Sequence, residues 1–514
     1  MKFQQQTQGN FDKIQSATSL QSINTSSLLQ NICIITSSLL QNTHIITPSL
    51  LQTFTIFALV LLQKNMMLLR RTYQKLIEWK ESSSRKPLLL RGARQVGKTT
   101  LVKQFAGEFT NFIELNLERD ADRKLFQIDD IDKILNAAYL LKGLSPNSKS
   151  TLLFIDEIQE SPKAIQLLRY FYEEKPELYV IAAGSLLEFA LKEVPNFPVG
   201  RIEYLYLHPL NFDEFLHAIK HNNAIDILKT TPLPDYAHNI MLDLFHDYAI
   251  IGGMPEIVAT YIETKNIAAL SKVYNSLWQA YKDDVEKYAR NNTDRKIIRH
   301  VIETAPNETD RVKFEGFGKS NYRSREVGEA LRALDLAKII RLIYPTTSLA
   351  PPITTDYKKR PRLQFMDTGL LNQILLLQAE MIGLNDLDDL YRGKIIEHLV
   401  YQELISIHDE TNYKPHFWVR EERKSNSEVD LVYRHEKYII PLEIKSGKQG
   451  RLKSLHQFIE RSNHPYAVRL YAGEFKVEKT KTPGGTPYLL MNLPYYLGTK
   501  IPDYIEYFVK KYTL

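Results

Sequence analysis

Three short apolar runs frame the first half of the chain: Leu88-Leu89-Leu90, Thr151-Leu152-Leu153-Phe154-Ile155 and Leu178-Tyr179-Val180-Ile181-Ala182-Ala183. Their apolar residues are continuous rather than alternating, the pattern of strands buried on both faces of a parallel sheet. Phe112-Ile113-Glu114-Leu115-Asn116-Leu117 reads as a further strand. Helical spacing fills the gaps, at 101–106 and 164–174. Over 67–80 an amphipathic helix is predicted, with Leu69, Tyr73, Leu76 and Ile77 on one face, ended by Ser82-Ser83-Ser84. Strands alternating with helices predict an α/β unit with a parallel sheet covered on both faces. Such sheets bind ligands at the carboxyl ends of their strands.

From Phe212 to about His300 the spacing is helical, broken at Ile250-Ile251-Gly252-Gly253-Met254-Pro255-Glu256, a tight-turn composition. Ser324 is placed to cap a helix over 325–334. Ile339-Ile340-Arg341-Leu342-Ile343-Tyr344 then reads as a strand closed by Pro345, and helix followed by strand fits a winged helix. Pro351-Pro352 and Asp356-Tyr357-Lys358-Lys359-Arg360-Pro361-Arg362 predict a linker or exposed loop, and Asp367-Thr368-Gly369-Leu370 opens another helix. In the last part a helix is predicted over 395–404, strands at 417–420, 428–432 and 440–445, a helix over 452–458 and a strand at 467–471.

The chemistry sits where these elements meet. Gly92-Ala93-Arg94-Gln95-Val96-Gly97-Lys98-Thr99 joins the first apolar run to the first helix and spells G-x-x-x-x-G-K-T, the phosphate-binding loop. Gly92 and Gly97 permit backbone conformations closed to other residues, so several N–H groups can converge on one anion. The helix beginning near Thr100 aims its positive end at the same place. Lys98 can reach β- and γ-phosphates, and the Thr99 hydroxyl can sit on Mg²⁺. The run at 151–155 ends in Asp156-Glu157, 58 residues after Lys98. Asp156 is placed to hold Mg²⁺ through water, and Glu157 to polarise an attacking water as a general base. The run at 178–183 leads into Gly184-Ser185. Its strand is expected beside the loop strand, where Ser185 could sense a γ-phosphate; capping a following helix is an equal reading.

Length and charge change this picture little. At 514 residues the chain has room for several domains, and a formal charge of +6 permits nucleic acid without demanding it. Cys33 is the only cysteine, which excludes a disulfide framework and a cysteine zinc site and fits a cytoplasmic address. Residues 1–65 differ from the rest: three Lys, one Asp, no Glu and no Arg, with Ser-Leu-Leu-Gln recurring every eleven residues at Ser27, Ser38 and Ser49. The apolar run Phe54–Leu62 is too short to span a bilayer. This leader is expected to be translated repeat DNA outside the fold, with Met66 or Met67 as the start.

Together, Gly92–Thr100, Phe154-Ile155-Asp156-Glu157-Ile158-Gln159, Gly200-Arg201 and Leu207-His208-Pro209-Leu210 resemble the AAA-type ATPases of bacteria and archaea that carry a C-terminal domain of unknown function. The resemblance covers roughly residues 66–514. It implies ATP and Mg²⁺ as cofactors and Arg201 as a group stabilising transition-state charge. It also implies that Gly252-Gly253-Met254-Pro255 lies near the nucleotide, a plain interhelical turn being the alternative. A winged helix is implied around 311–344, which holds eight Lys/Arg and four Asp/Glu; Lys319, Arg323 and Arg325 are its candidate phosphate contacts. Near the C-terminus, Asp430 and Glu443-x-Lys445 resemble the PD-(D/E)xK nuclease fold, with Val429 where many members have proline. Glu443 and Lys445 share a strand face. Asp430 and Glu443, with Glu397 from the preceding helix, would complete a Mg²⁺ site that Lys445 assists without ligating.

The expected organisation is a leader (1–65), an AAA-type P-loop ATPase core (66–216), a helical region (217–310), a winged-helix-like unit (311–385) and an α/β nuclease-like unit (386–514). The expected activity is Mg²⁺-dependent ATP hydrolysis that switches the attached modules, with DNA or a protein as further partner and no membrane. The alternatives are a nucleotide-dependent signalling or interaction switch without DNA, and an active DNA nuclease. Oligomeric state is not fixed by the sequence. Mass spectrometry of the natively expressed protein is expected to find an N-terminus at Met66 or Met67; peptides from 1–65 would overturn this.

Overall fold

The computed structural model describes residues 68–514, except 147–149, 186, 188–193, 195–196, 288, 309, 379–389, 410–412, 421–426 and 448–451. The expectations for the leader, Cys33 and Met66 or Met67 lie outside the described residues. The described elements are α1 Arg71–Glu81, β1 Leu88–Arg91, α2 Lys98–Phe105, β2 Asn111–Asn116, α3 Asp120–Leu125, α4 Ile131–Lys142, β3 Thr151–Asp156, α5 Pro162–Glu174, β4 Tyr179–Ala183 and β5 Glu203–Tyr206. A helical stretch follows: α6 Phe212–Ala218, α7 Asn222–Leu228, α8 His238–Ile251, α9 Pro255–Thr264, α10 Leu270–Glu286 and α11 Asn292–Thr304. Then come α12 Ser324–Leu336, β6 Ile340–Ile343, β7 Pro345–Thr346, β8 Arg362–Phe365, α13 Thr368–Ile374 and α14 Leu390–Ser406. The chain ends with β9 His416–Val419, β10 Glu428–His435, β11 Tyr438–Ile444, α15 Lys453–Ile459, β12 Tyr466–Tyr471, β13 Lys476–Lys481, β14 Pro487–Pro494 and α16 Ile501–Lys511.

The first sheet is parallel throughout, in the order β2-β3-β4-β1-β5. Its continuous apolar runs are explained by two separate cores. Leu88 and Leu90 pack with Trp79 of α1 and Val102 and Phe105 of α2. Leu89, between them, faces the other way with Ile134 of α4 and Leu168 of α5. Successive strand residues point to opposite faces, so a sheet covered on both must be apolar at every position.

The second sheet is mixed and has seven strands, β13-β14-β12-β11-β10-β9-β7. Between the sheets lies a two-stranded antiparallel ribbon of β6 and β8, with Ile340 opposite Phe365. The segment after β6 crosses over: Pro345, expected to close that strand, instead begins β7 and pairs in parallel with Phe417 of the large sheet.

Two helix starts differ from expectation. The helix predicted from 67 begins at Arg71, so Leu69 is exposed while Trp79 joins Leu76 in the core. Ser324 does not cap α12; it is the first helical residue, and Glu326 accepts a hydrogen bond from Arg323 N at 2.9 Å.

A buried polar network ties the helical stretch to α13 and α14. Glu403 of α14 accepts from Phe212 N at 3.0 Å and lies 2.8 Å from the Tyr248 hydroxyl. Gln402 accepts from Thr368 N and donates to Tyr248 Oη, both at 2.8 Å. Asp367 accepts from Gly253 N at 2.6 Å and Leu370 N at 2.8 Å. Gly253 carries no side chain because a Cβ would run into the Leu210 carbonyl. Buried groups of this kind are stable only when their partners are all present.

Burial raises the Glu403 carboxyl from 4.5 to about 8, against the hydrogen bonds that favour its charge. Between those two values the unfolded chain gives up a proton that the folded chain keeps, so this group lowers stability as pH rises from about 5 to 8. Glu403→Gln is expected to remove that slope: relative to the parent, its melting temperature should climb with pH over this range. A constant difference at all pH values would show that Glu403 is ionised in the fold.

Candidate functional site

The turn from β1 into α2 takes its shape from residues that no other side chain fits. Gly92 (φ 147°) and Gly97 (φ 94°) lie where glycine is favoured, and Gln95 (φ 60°) joins them in the left-handed region. A Cβ on Gly92 would strike the Leu207 carbonyl oxygen. Leu207 N in turn donates to Arg91 O at 2.8 Å.

Donors from distant parts of the chain hold the loop. Arg70, buried, donates to Val96 O at 2.9 Å and His208 O at 2.5 Å, and its Nε lies 3.3 Å from Glu214. From α10, the Tyr281 hydroxyl donates to Arg94 O at 2.6 Å, and Asp284 takes the Arg94 guanidinium at 2.6 and 2.7 Å. The C=O and N–H of a trans peptide point in opposite directions. Anchoring the Arg94 and Val96 carbonyls therefore turns the Gln95 and Gly97 amides away from those anchors. Pro255 at the start of α9 packs beside Gly97. The Gly-Gly-x-Pro turn thus lies against the loop as well as joining two helices.

Lys98 is buried and folded over the loop, donating to Gly92 O at 3.0 Å and Ala93 O at 2.8 Å. Burial depresses its ammonium to about 8, against the pull of Glu157 and Asp156. The Thr99 hydroxyl donates to Asp156 Oδ2 at 2.8 Å. Burial raises the Asp156 carboxyl, and the Thr99 bond works against that rise. Thr100 is exposed on the next position of α2.

Glu157 follows Asp156 in a left-handed conformation (φ 50°), a strained geometry for this residue type. Its carboxylate accepts from Gln159 Nε2 at 2.7 Å. Ser185 is buried just past the end of β4, and β4 lies between β1 and β3 as expected. Arg201 is placed otherwise. It precedes β5, whose Glu203 pairs with Leu88 at the amino end of β1, while the loop is at the carboxyl end. The guanidinium is exposed and bound to Glu173 at 3.0 Å. Within one chain, Arg201 therefore lies at the edge of the sheet opposite the phosphate loop.

Two groups of this site escaped the reading of the sequence. Arg70 lies in the stretch predicted as an amphipathic helix, and Asp284 in the helical stretch after Phe212. Neither carries a local signal; only the fold shows their partners.

The C-terminal residues also come together, with a difference. Lys445 Nζ lies 2.7 Å from Glu443 Oε1, and Ile444 N donates to Asp430 Oδ2 at 2.9 Å. Glu397 faces the same cluster from α14. Arg362 of β8 stands among them, hydrogen-bonded to Glu397 and Glu428 and 3.6 Å from Asp430 Oδ1. Beside the residues of the expected Mg²⁺ shell, Glu397, Asp430 and Glu443, a guanidinium bonds to Glu397 and approaches Asp430. Among the described residues no group of three or more His, Cys, Asp or Glu is arranged to hold a metal ion. Lys319, Arg323 and Arg325 are exposed, and Arg325 pairs with Glu329 at 3.2 Å.

Comparison with known proteins agrees with the loop and sheet. Residues 84–216 match the family model described as AAA domain, 242–381 a domain of unknown function (DUF8612) and 392–491 another (DUF4143). The chain therefore carries an AAA-type, ATPase-like α/β domain on a parallel five-stranded sheet, followed by two further units. An uncharacterised protein of Methanocaldococcus jannaschii is 23% identical over 426 residues, 79% of this chain and 84% of that protein. Another, from Haemophilus influenzae, is 25% identical over 223 residues, 41% of this chain and 49% of that protein. Among solved structures, a Walker-type ATPase of Pyrococcus abyssi aligns over 60% of this chain and 96% of its own, at 15% identity and a TM-score of 0.40. A STAND-class signal-transduction ATPase of Pyrococcus horikoshii aligns over 64% and 45%, at 12% identity and a TM-score of 0.24. Among the described residues no helix is long and apolar enough to cross a membrane.

Arg70→Ala leaves buried Glu214 without its cation and the Val96 and His208 carbonyls without a donor. The expected cost is about 3 kcal/mol in chemical denaturation. Amide hydrogen exchange over Gly92–Lys98 should rise more than over β2. Uniform exchange across the sheet would mean Arg70 stabilises the fold without shaping the loop.

Proposed function

We propose that this protein binds ATP at the Gly92–Thr100 loop and hydrolyses it with Mg²⁺. The observation that carries this is the 2.8 Å bond from the Thr99 hydroxyl to Asp156, which joins loop and acid strand across the end of β4. Two hard oxygen donors meeting at a helix start suit Mg²⁺, which takes one or two protein oxygens and the substrate's phosphates. Bound there, the metal supplies neutralisation of charge on the phosphates. Lys98 exchanges its two loop carbonyls for phosphate oxygens, and the anion stabilises the charge that burial disfavours. Glu157 orients and deprotonates the attacking water, with Gln159 fixing its carboxylate. Ser185, between the two strands, is placed to report the γ-phosphate.

The same reading gives a route for the signal. Arg94 and its carbonyl are held by Asp284 and Tyr281, so a change in the loop is felt first by α10. Pro255 and the Gly253 turn carry it to Asp367 and the network around Glu403. Nucleotide state would thereby set the arrangement of the C-terminal units. Those units, a winged-helix-like region around α12 and the sheet of Asp430, act as binders of DNA or of a protein. The exposed Lys319, Arg323 and Arg325 favour phosphate contact. The arginine-filled acidic cluster favours binding over cutting.

Lys98→Ala is expected to abolish binding of a fluorescent ATP analogue. Glu157→Gln should bind it normally and lose turnover by about a hundredfold or more. A Lys98→Ala chain hydrolysing at the parental rate would remove the assignment. Gel shift with and without ATP separates the two partner classes: an ATP-dependent shift supports DNA, and none supports the protein-switch alternative.

A further inference from the structure

The acidic cluster of the C-terminal sheet has its own electrostatic logic, independent of the ATP site. Four carboxylates, Glu397, Glu428, Asp430 and Glu443, are all at least four-fifths buried. In water such a group of acids would repel strongly, and in a protein it demands cations or protons. Four cations answer it. Arg362 bridges Glu397, Glu428 and Asp430, while Lys394 lies 3.4 Å from Glu397, Arg311 3.1 Å from Glu428 and Lys445 2.7 Å from Glu443. Exposed Asp310 adds only an outer contact to Lys394, at 3.4 Å. The inner charges therefore balance without any ion.

Space is tight on one side of the cluster: the cavity lined by Arg362, Lys394, Glu397 and Tyr401 is about 20 Å³, room for about one water. On the Glu428 side a wider cleft of about 560 Å³ is lined by the cations Arg311, Lys358, Lys359 and Arg360, an unfavourable approach for a divalent cation. One acceptor is left over, Glu443 Oε2, buried and without a hydrogen-bond partner.

We infer that Arg362, delivered from β8 outside the C-terminal sheet, is a built-in counter-cation that fills the position of a divalent metal among Glu397, Glu428 and Asp430. The cluster then folds and stands without metal, and the unit binds its partner rather than cleaving phosphodiesters. Arg362 also stacks its guanidinium 4.6 Å from the Phe417 ring centroid, which fixes it from the sheet side.

The test uses the full chain, free of nucleotide, carrying Asp156→Asn so that the phosphate loop offers no metal carboxylate. Mn²⁺ is the probe, followed by electron paramagnetic resonance. The parent chain is expected to bind none in the micromolar range. Arg362→Ala should bind one equivalent in the micromolar range and lose it again when Asp430→Asn is added. Its melting temperature should fall and be restored by Mn²⁺, while that of the parent ignores both Mn²⁺ and chelator. Parental binding as tight as the variant's, abolished by Asp430→Asn, would overturn the inference. So would a folded Arg362→Ala chain that binds none. Should Arg362→Ala fail to fold even with Mn²⁺, Arg362→Gln is read by the same criteria, and no Mn²⁺ gain there overturns the inference too. ATP turnover is not read, so failure here leaves the ATPase proposal standing.

Discussion

A single hydrogen bond between non-neighbouring strands organises the first half of the molecule. Thr99 lies in the first turn of the helix after β1 and Asp156 ends β3, with β4 between the two strands. The bond can form only if all three strands end at the same level, which the parallel register secures: Leu90 pairs with Ala183, and Ile155 with Ala182. The continuous apolar runs therefore do more than fill a core. They set a common edge from which the loop, the acid pair and Ser185 all project. Asp156 is buried, where a carboxylate without a partner would be costly, and half-buried Thr99 supplies that partner.

What surrounds that edge makes it a junction rather than an isolated pocket. The loop's own residues satisfy only part of its geometry; Arg70 comes from before β1, and Tyr281 and Asp284 come from α10. Gly253 N and Leu370 N converge on Asp367, and Phe212 N and Tyr248 on Glu403. All but the local Leu370 contact cross between segments far apart in sequence. Burying so many polar groups stabilises only one arrangement well, because any shift leaves a donor or acceptor unpaired.

The sequence made the frame legible because its signals are local. A spaced glycine pair leading into a lysine, an apolar run ending in two acids and another ending in Gly-Ser each declare themselves within about ten residues. The interlocking was illegible for the opposite reason. Arg70, Asp284 and Arg362 are ordinary charged residues until a partner 138, 190 or 35 positions away is in place. Leu69 misled because apolar spacing continued past the true start of α1. Pro345 misled because a proline that ends one strand can open an edge strand elsewhere. The end of the chain went unread beyond Tyr471, although Tyr488-Leu489-Leu490-Met491 is a plain apolar run, and β14 there lies between β12 and β13.

Comparing the two acidic sites shows why the same residue type serves different ends. At the phosphate loop, Asp156 meets a neutral hydroxyl, and the nearest cation, Lys98, is occupied by carbonyls rather than by the acid. The short ion pair at this loop joins Arg94 to Asp284 and leaves Asp156 with the Thr99 hydroxyl as its side-chain partner. In the C-terminal sheet every inner carboxylate has a cation within 4 Å. Adding a divalent ion would place two surplus charges beside Arg362 and Lys445, and the low local dielectric magnifies that repulsion. The acids alone would suggest two metal sites. Their neighbours differ: a hydroxyl at 2.8 Å beside Asp156, and Arg362 and Lys445 among the acids of the C-terminal sheet.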